Sequence, residues 1–336
     1  MRTTKEALLR LARDTAAISA NQDHSIVCIY LTGSLVTEDP FIGGSTDVDF
    51  FFVHTEKPPL QREIRYLSDD VTLDIAHVEQ SIYQQPRHLR ADAWLGPFLC
   101  AKPKVLYDTR HWFEFTEASV GAQFYQPEYM LERARPLAAA ARRIWMNFHL
   151  SPPEITPAHV LEYLLCIQLA GNAIALLSGA PLPLRRFFLD LPIRTQAVKR
   201  VELFDLFKSA LLPNAANTIE WQLYISQWTE TLRLASAAKN CPPKLSAPRR
   251  NYYCKAVNAL FEENPAAAAL ILMQTWTQSA LLIPNELNSM DALKEVYSAF
   301  LQINGSFEPV IDKLDQLLDT VEEILDVFSS ENGLTE

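Results

Sequence analysis

Five residues in the first quarter of the chain combine types and spacings suited to chemistry on phosphate. They are Gly33-Ser34, then Asp47 and Asp49 after twelve intervening residues, then Asp74. Asp47 and Asp49 lie two apart, so on an extended strand both side chains leave the same face and can share metal ions. Asp74 sits in Leu73-Asp74-Ile75, a lone carboxylate between apolar neighbours, where burial without a partner is costly. Three carboxylates in a small area repel one another unless divalent cations lie between them, and hard oxygen ligands suit Mg²⁺. Two Mg²⁺ ions held by Asp47, Asp49 and Asp74 would stabilise the attacking and leaving oxygens of an in-line displacement at phosphorus. Gly33 lets the backbone approach a triphosphate closely. Ser34 adds a hydroxyl and an N–H at the start of a short helix. A Gly-Ser pair alone is an ordinary turn, and Asp-x-Asp alone is a common loop or cap feature. The third carboxylate makes the set informative, and the whole predicts transfer of a nucleotidyl group.

The elements that would position these residues form an α/β layer. Thr4 to Ala20 places Leu8, Leu9, Leu11, Ala12, Ala16 and Ile18 at helical spacing. Ser25 to Leu31 reads as a buried strand entering the turn at Thr32-Gly33-Ser34, and further strands are expected at 48–53 and 71–78. Residues 61–67 read as a short helix, and Lys104 to Asp108 as a last short strand. From Pro127 the pattern changes to helices punctuated by prolines. Thr156-Pro157 is an N-cap followed by proline at the first helical position, opening a helix that runs to Ser178-Gly179. Others are expected at 128–149, 195–212, 217–239, 250–262, 265–282, 290–303 and 307–328, a bundle of about eight. The expected fold class is therefore α+β. A mixed sheet with flanking helices over 1–125 precedes an all-α bundle over 126–330, with an internal joint at 241–248.

Composition narrows the partners. At 336 residues, with 49% apolar and 10% aromatic residues, the chain has material for two ordinary domains. No early segment reads as a signal peptide, and no apolar run reads as a membrane span. Five cysteines, Cys28, Cys100, Cys166, Cys241 and Cys254, are odd in number and lack any C-x-x-C pair, which points away from disulfides and zinc and toward the cytoplasm. The net charge is −10, but residues 306–336 hold nine acids against the single Lys313 and so supply −8 of it. The remainder is nearly neutral and shows no basic stripe, which disfavours a long nucleic acid as substrate.

In their order and setting, Gly33-Ser34, Asp47-Val-Asp49 and Asp74 resemble the DNA polymerase β-like nucleotidyltransferase superfamily over residues 25–110. The resemblance implies a nucleotide-binding turn at Gly33 and Ser34, a metal-binding pair at Asp47 and Asp49, and a third catalytic carboxylate at Asp74. It implies two Mg²⁺ ions and ATP or another nucleoside triphosphate as co-substrate. A catalytic domain of this size followed by helices is similar to the aminoglycoside adenylyltransferase branch. That branch implies AMP transfer to a hydroxyl of a small acceptor such as an aminoglycoside-type antibiotic, with pyrophosphate released and substrate bound between sheet domain and bundle. The enzyme would be a monomer or homodimer without a membrane partner. A transferase modifying a protein or RNA, and a non-catalytic nucleotide-binding module, are the competing classes.

Secondary candidates have ordinary readings as well. Asp74 is the first candidate for general base, with Glu128, Glu132 and Glu162 as alternatives that read equally as solvated helix residues. Arg185, Arg186, Lys199 and Arg200 are phosphate-binding cations by analogy with the branch, and surface charge otherwise. Trp145, Trp221, Trp228 and Trp276 read as core packing. Arg143 and His149 form an Arg-x5-His pattern that resembles the ribonuclease motif of HEPN domains, a match that arises easily by chance. His77 reads as a strand residue covering the sheet. Val310, Leu314, Leu317, Val321, Ile324 and Phe328 mark one seam that closes the bundle.

Overall fold

The computed structural model describes residues 4–212, 219–284, 287–303 and 305–334. The chain divides into two compact units, Met1–Tyr129 and Met130–Glu336. Its class is α+β, with a mixed sheet in the first unit and helices in the second.

In the first unit α1 (Lys5–Gln22) starts where the Thr4 hydroxyl accepts from the Ala7 N–H at 3.3 Å. Leu8, Ala12, Ala16 and Ala20 recur every four residues and are buried, a stripe of mostly small side chains that lets the helix lie close to the sheet. The sheet comprises β1 (Ile26–Thr32), β2 (Thr46–His54), β3 (Arg62–Ser68), β4 (Val71–Glu79) and β5 (Lys104–Asp108) in the order β3-β4-β2-β1-β5. β2 and β4 run parallel, and every other neighbouring pair is antiparallel. Alternation along the strands divides the core. Ile29, Leu31, Val48, Phe50, Phe52, Leu73 and Ile75 pack with the α1 stripe. Cys28, Tyr30 and Val53 pack on the opposite face with Leu89 of α2 (Pro86–Ala91), Leu99 of α3 (Leu95–Cys100) and Phe113 and Val120 of α4 (Trp112–Phe124).

Residues 61–67 are not a helix. They lie in β3, joined to β4 by a two-residue turn at Asp69-Asp70 and paired with it from Ser68↔Val71 to Arg62↔Ala76. The charged sequence Arg-Glu-Ile-Arg suits a helix locally, but the tight hairpin and the cross-strand ladder decide the outcome.

The second unit contains most of α5 (Pro127–Leu150), then α6 (Pro157–Ala175), α7 (Phe187–Ala197), α8 (Leu203–Leu211), α9 (Trp221–Ser236), α10 (Arg250–Leu260), α11 (Pro265–Leu282), α12 (Leu287–Leu301) and α13 (Glu308–Glu331). The single helix expected over 195–212 is two, because the chain turns at Lys199, whose φ is 58°. The helix expected over 217–239 is α9, and residues 217–218 lie outside the described residues. Residues 241–248 form two short 3₁₀ turns, Pro243–Leu245 and Ala247–Arg249. α11 is apolar all round and buried over Ala266–Met273, with α6, α9, α10 and α12 against it, which makes it the axis of the bundle. Contrary to expectation, α6 is long and apolar enough to cross a membrane. With 61% of that stretch buried within the fold, it packs as a core helix.

Candidate metal centre

β2 carries Asp47 and Asp49 as its second and fourth residues, and β4 carries Asp74 as its fourth. The parallel register sets Asp49 beside Asp74 and Asp47 beside Thr72. Val48, Phe50, Leu73 and Ile75 face α1, so alternation turns the three aspartates to the other face. One carboxylate oxygen from each lies within 4.8 Å of the others. Asp47 and Asp74 are buried, and Asp49 is half-buried. An all-oxygen, all-carboxylate donor set of this size is placed to hold a hard divalent cation.

Gly33 is fixed by the same register. β1 ends at Thr32, directly opposite Asp49. The chain then leaves through Gly33 at φ 67° and ψ −155°, a region essentially closed to other residues. A Cβ at Gly33 would stand 1.9 Å from Asp49 Oδ2. The glycine thus yields its space to a member of the carboxylate trio, a demand that its pairing with Ser34 did not reveal. Ser34 opens a three-residue 3₁₀ turn, and its Oγ lies 3.1 Å from Thr46 Oγ1, which ties the turn to the start of β2.

Sequence reasoning missed Arg62. Its Nε donates to Asp74 Oδ1 at 2.7 Å and its Nη2 to Oδ2 at 2.8 Å, a two-pronged fork. Ile64 stands opposite Asp74 in the β3–β4 ladder, so Arg62 reaches the carboxylate along the diagonal. The Arg62 side chain is 40% exposed and that of Asp74 only 2%. The expectation that Asp74 could not be buried without a partner is met by this arginine. It was hidden because residues 61–67 read as a helix.

His77 turns away from the carboxylates, as expected of a sheet residue. Its Nδ1 is 2.9 Å from His54 Nε2 and its Nε2 is 3.3 Å from Glu63 Oε1. Of the alternative bases, Glu128 and Glu162 are exposed and Glu132 is half-buried. In the second unit Arg185 is buried, with its guanidinium 3.6 Å from the centroid of the Tyr252 ring, and Arg249 stands 4.2 Å from the same ring. Arg186 is half-buried, Lys199 occupies the turn after α7, and Arg200 pairs with Glu323. Arg143 and His149 are both exposed, and His149 stacks on Trp145 at 5.0 Å. Trp221, Trp228 and Trp276 belong to the core, whereas Trp145, expected with them, is half-buried.

No family model matches the chain, and no curated protein matches it. Among solved structures, that of a nucleotidyltransferase-like protein from Exiguobacterium sibiricum aligns over 94% of this chain and 91% of that one, at 10% identity and a TM-score of 0.32. At that score the alignment carries no weight, and the functional reading rests on the geometry of the site.

Proposed function

We propose that the chain is a Mg²⁺-dependent nucleotidyltransferase that moves AMP from ATP onto a hydroxyl of a small acceptor and releases pyrophosphate. The observation that carries this reading is the convergence of Asp47, Asp49 and Asp74 within 4.8 Å beside the Gly33-Ser34 turn. In this reading the three carboxylates would hold the cations, which would supply charge neutralisation for the nucleotidyl group being transferred. Gly33, without a side chain, leaves room for Asp49 at the turn, and Ser34 offers the phosphates its hydroxyl and backbone N–H. The acceptor hydroxyl gives its proton to a carboxylate as its oxygen bonds the α-phosphorus and the bond to the β-phosphate breaks. Asp74 is the first candidate for that proton. The Arg62 fork takes one acceptor direction on each Asp74 oxygen, and a carboxylate offers about four. Aminoglycoside-type antibiotics head the acceptor classes through the branch resemblance. The five free thiols suit a reducing, cytoplasmic setting.

The test is pyrophosphate release over a panel of nucleoside triphosphates and acceptors: aminoglycosides, lincosamides, tRNA and the protein itself. The expected result is metal-dependent release with one class of small acceptor, and a loss of at least about hundredfold in Asp47→Asn. Turnover that survives both metal chelation and Asp47→Asn would overturn the reading, and turnover with tRNA or the protein alone would move it to the macromolecular class.

A further inference from the structure

Two candidate ligands claim the carboxylate of Asp74. The Arg62 fork already occupies Oδ1 at 2.7 Å and Oδ2 at 2.8 Å. One oxygen of that same carboxylate also belongs to the cluster placed to hold a cation with Asp47 and Asp49. A guanidinium and a divalent ion repel each other, so each lowers the affinity of the carboxylate for the other. Their mobilities differ. Asp74 lies mid-strand in β4 between β2 and β3, with 2% of its side chain exposed, and cannot follow a partner outward. Arg62 is the first residue of the edge strand β3, with 40% of its side chain exposed, and has solvent to swing into. β3 itself is held independently of the fork, through the ladder to β4 and through Glu63, which contacts His77 on the opposite face.

We propose that Arg62 is a resident counter-cation of the carboxylate cluster: it neutralises Asp74 while metal is absent and competes with metal for it. The proposal rests on the metal-centre reading above. It makes Arg62 a positioning residue that acts through Asp74 and sets how tightly the free protein binds a divalent ion.

The test is binding of Mn²⁺, counted by the EPR signal of the free ion, to the full chain as wild type, Arg62→Gln, Asp74→Asn and the double variant. Arg62→Gln is expected to bind Mn²⁺ about five- to tenfold more tightly than wild type. In the Asp74→Asn background the same change should alter affinity by less than about twofold. A folded Arg62→Gln that binds Mn²⁺ as weakly as wild type, or more weakly, would overturn the proposal and leave the metal centre standing. Failure of both wild type and Arg62→Gln to bind Mn²⁺ would overturn the metal centre, and the proposal with it. Should Arg62→Gln not fold, the arginine Nε–H resonances of the wild type give a second reading. The Arg62 resonance, identified by its absence from Arg62→Lys, is expected to shift as Mg²⁺ is added, and a resonance unmoved at saturating Mg²⁺ would overturn the competition.

Discussion

Gly33 is the residue on which the turn and the carboxylates meet, and it separates two costs that a glycine substitution usually mixes. Gly33 and Gly44 both have positive φ, 67° and 76°, so alanine is strained at either. At Gly44 a Cβ meets nothing within 4 Å, whereas at Gly33 it would stand 1.9 Å from Asp49 Oδ2. Gly44→Ala should therefore cost about 1 kcal/mol, and Gly33→Ala about 1 to 3 kcal/mol more, with loss of Mn²⁺ binding because Asp49 must move. Urea unfolding of the two variants checks the difference, and equal stabilities would show that Asp49 does not press on Gly33. Asp47 and Asp49 were legible as a pair because strand alternation puts both on one face, and Asp74 stood out as a lone carboxylate in an apolar strand, although its place beside Asp49 is set by the β2–β4 register. Arg62 was not, because its partner lies twelve positions away on another strand and only the β3–β4 register joins them. The claim on Gly33 by Asp49 was hidden for the same reason: it depends on Thr32 standing opposite Asp49.

At the scale of elements the sheet is pinned on its α1 side by a chain of polar groups. Ser25 Oγ lies 2.9 Å from His54 Nδ1, His54 Nε2 lies 2.9 Å from His77 Nδ1, and His77 Nε2 reaches Glu63 at 3.3 Å. Asp23 Oδ2 stands 3.6 Å from His54 Nδ1. The chain thus ties the start of β1 to the end of β2, to β4 and to the edge strand β3. Burial, followed by the neighbouring His77, holds the imidazole of His54 below its ordinary range, and Asp23 opposes that only in part. On acidification the unfolded chain takes up this proton before the folded one does. Stability from His54 is therefore complete above the ordinary histidine range of about 6.5 and is lost as pH falls below it. Asp23 is held low by its hydrogen bonds to Ser25, so its own loss comes later, below the ordinary carboxylate range. Urea midpoints between pH 7.5 and 5 are expected to fall in wild type and to flatten in His54→Gln, and identical slopes would remove His54 from the account. Sequence periodicity located β1, β2, β4 and β5 but missed β3. The difference is sequence pattern: the others carry continuous or alternating apolar residues, β5 included although it too is an edge strand, whereas β3 reads Arg-Glu-Ile-Arg with charges beside its apolar positions.

At the scale of the molecule, the acidity that dominates the net charge is concentrated on α13, where it has a structural use. Val310, Leu314, Leu317, Val321 and Ile324 are buried along one seam of that helix, as its spacing predicted, while Phe328, expected with them, is half-buried. Beside them Arg142 of α5 gathers three of its acids, with Nη1 2.6 Å from Asp315, Nη2 2.6 Å from Asp319 and Nε 2.8 Å from Glu322. The guanidinium also lies 4.8 Å from the ring centroid of Trp145, whose Nε1–H donates to the Ile311 carbonyl at 3.2 Å. One arginine thus serves acids at successive turns of a helix that would otherwise repel one another along that face. The arginine side chain is 18% exposed and the acids between 39% and 69%, so solvent screens much of the Coulomb energy while the forked hydrogen bonds keep their geometry. Arg142→Met keeps most of the stem against Trp145 and removes the charge. It is expected to cost about 1 to 2 kcal/mol at low salt, measured by urea unfolding. About half of that should disappear in 1 M NaCl, where the exposed carboxylates are screened from one another. A cost that salt leaves unchanged would mean that Arg142 holds α13 by packing alone, and that the acids gathered around it carry no share of the closure of the bundle.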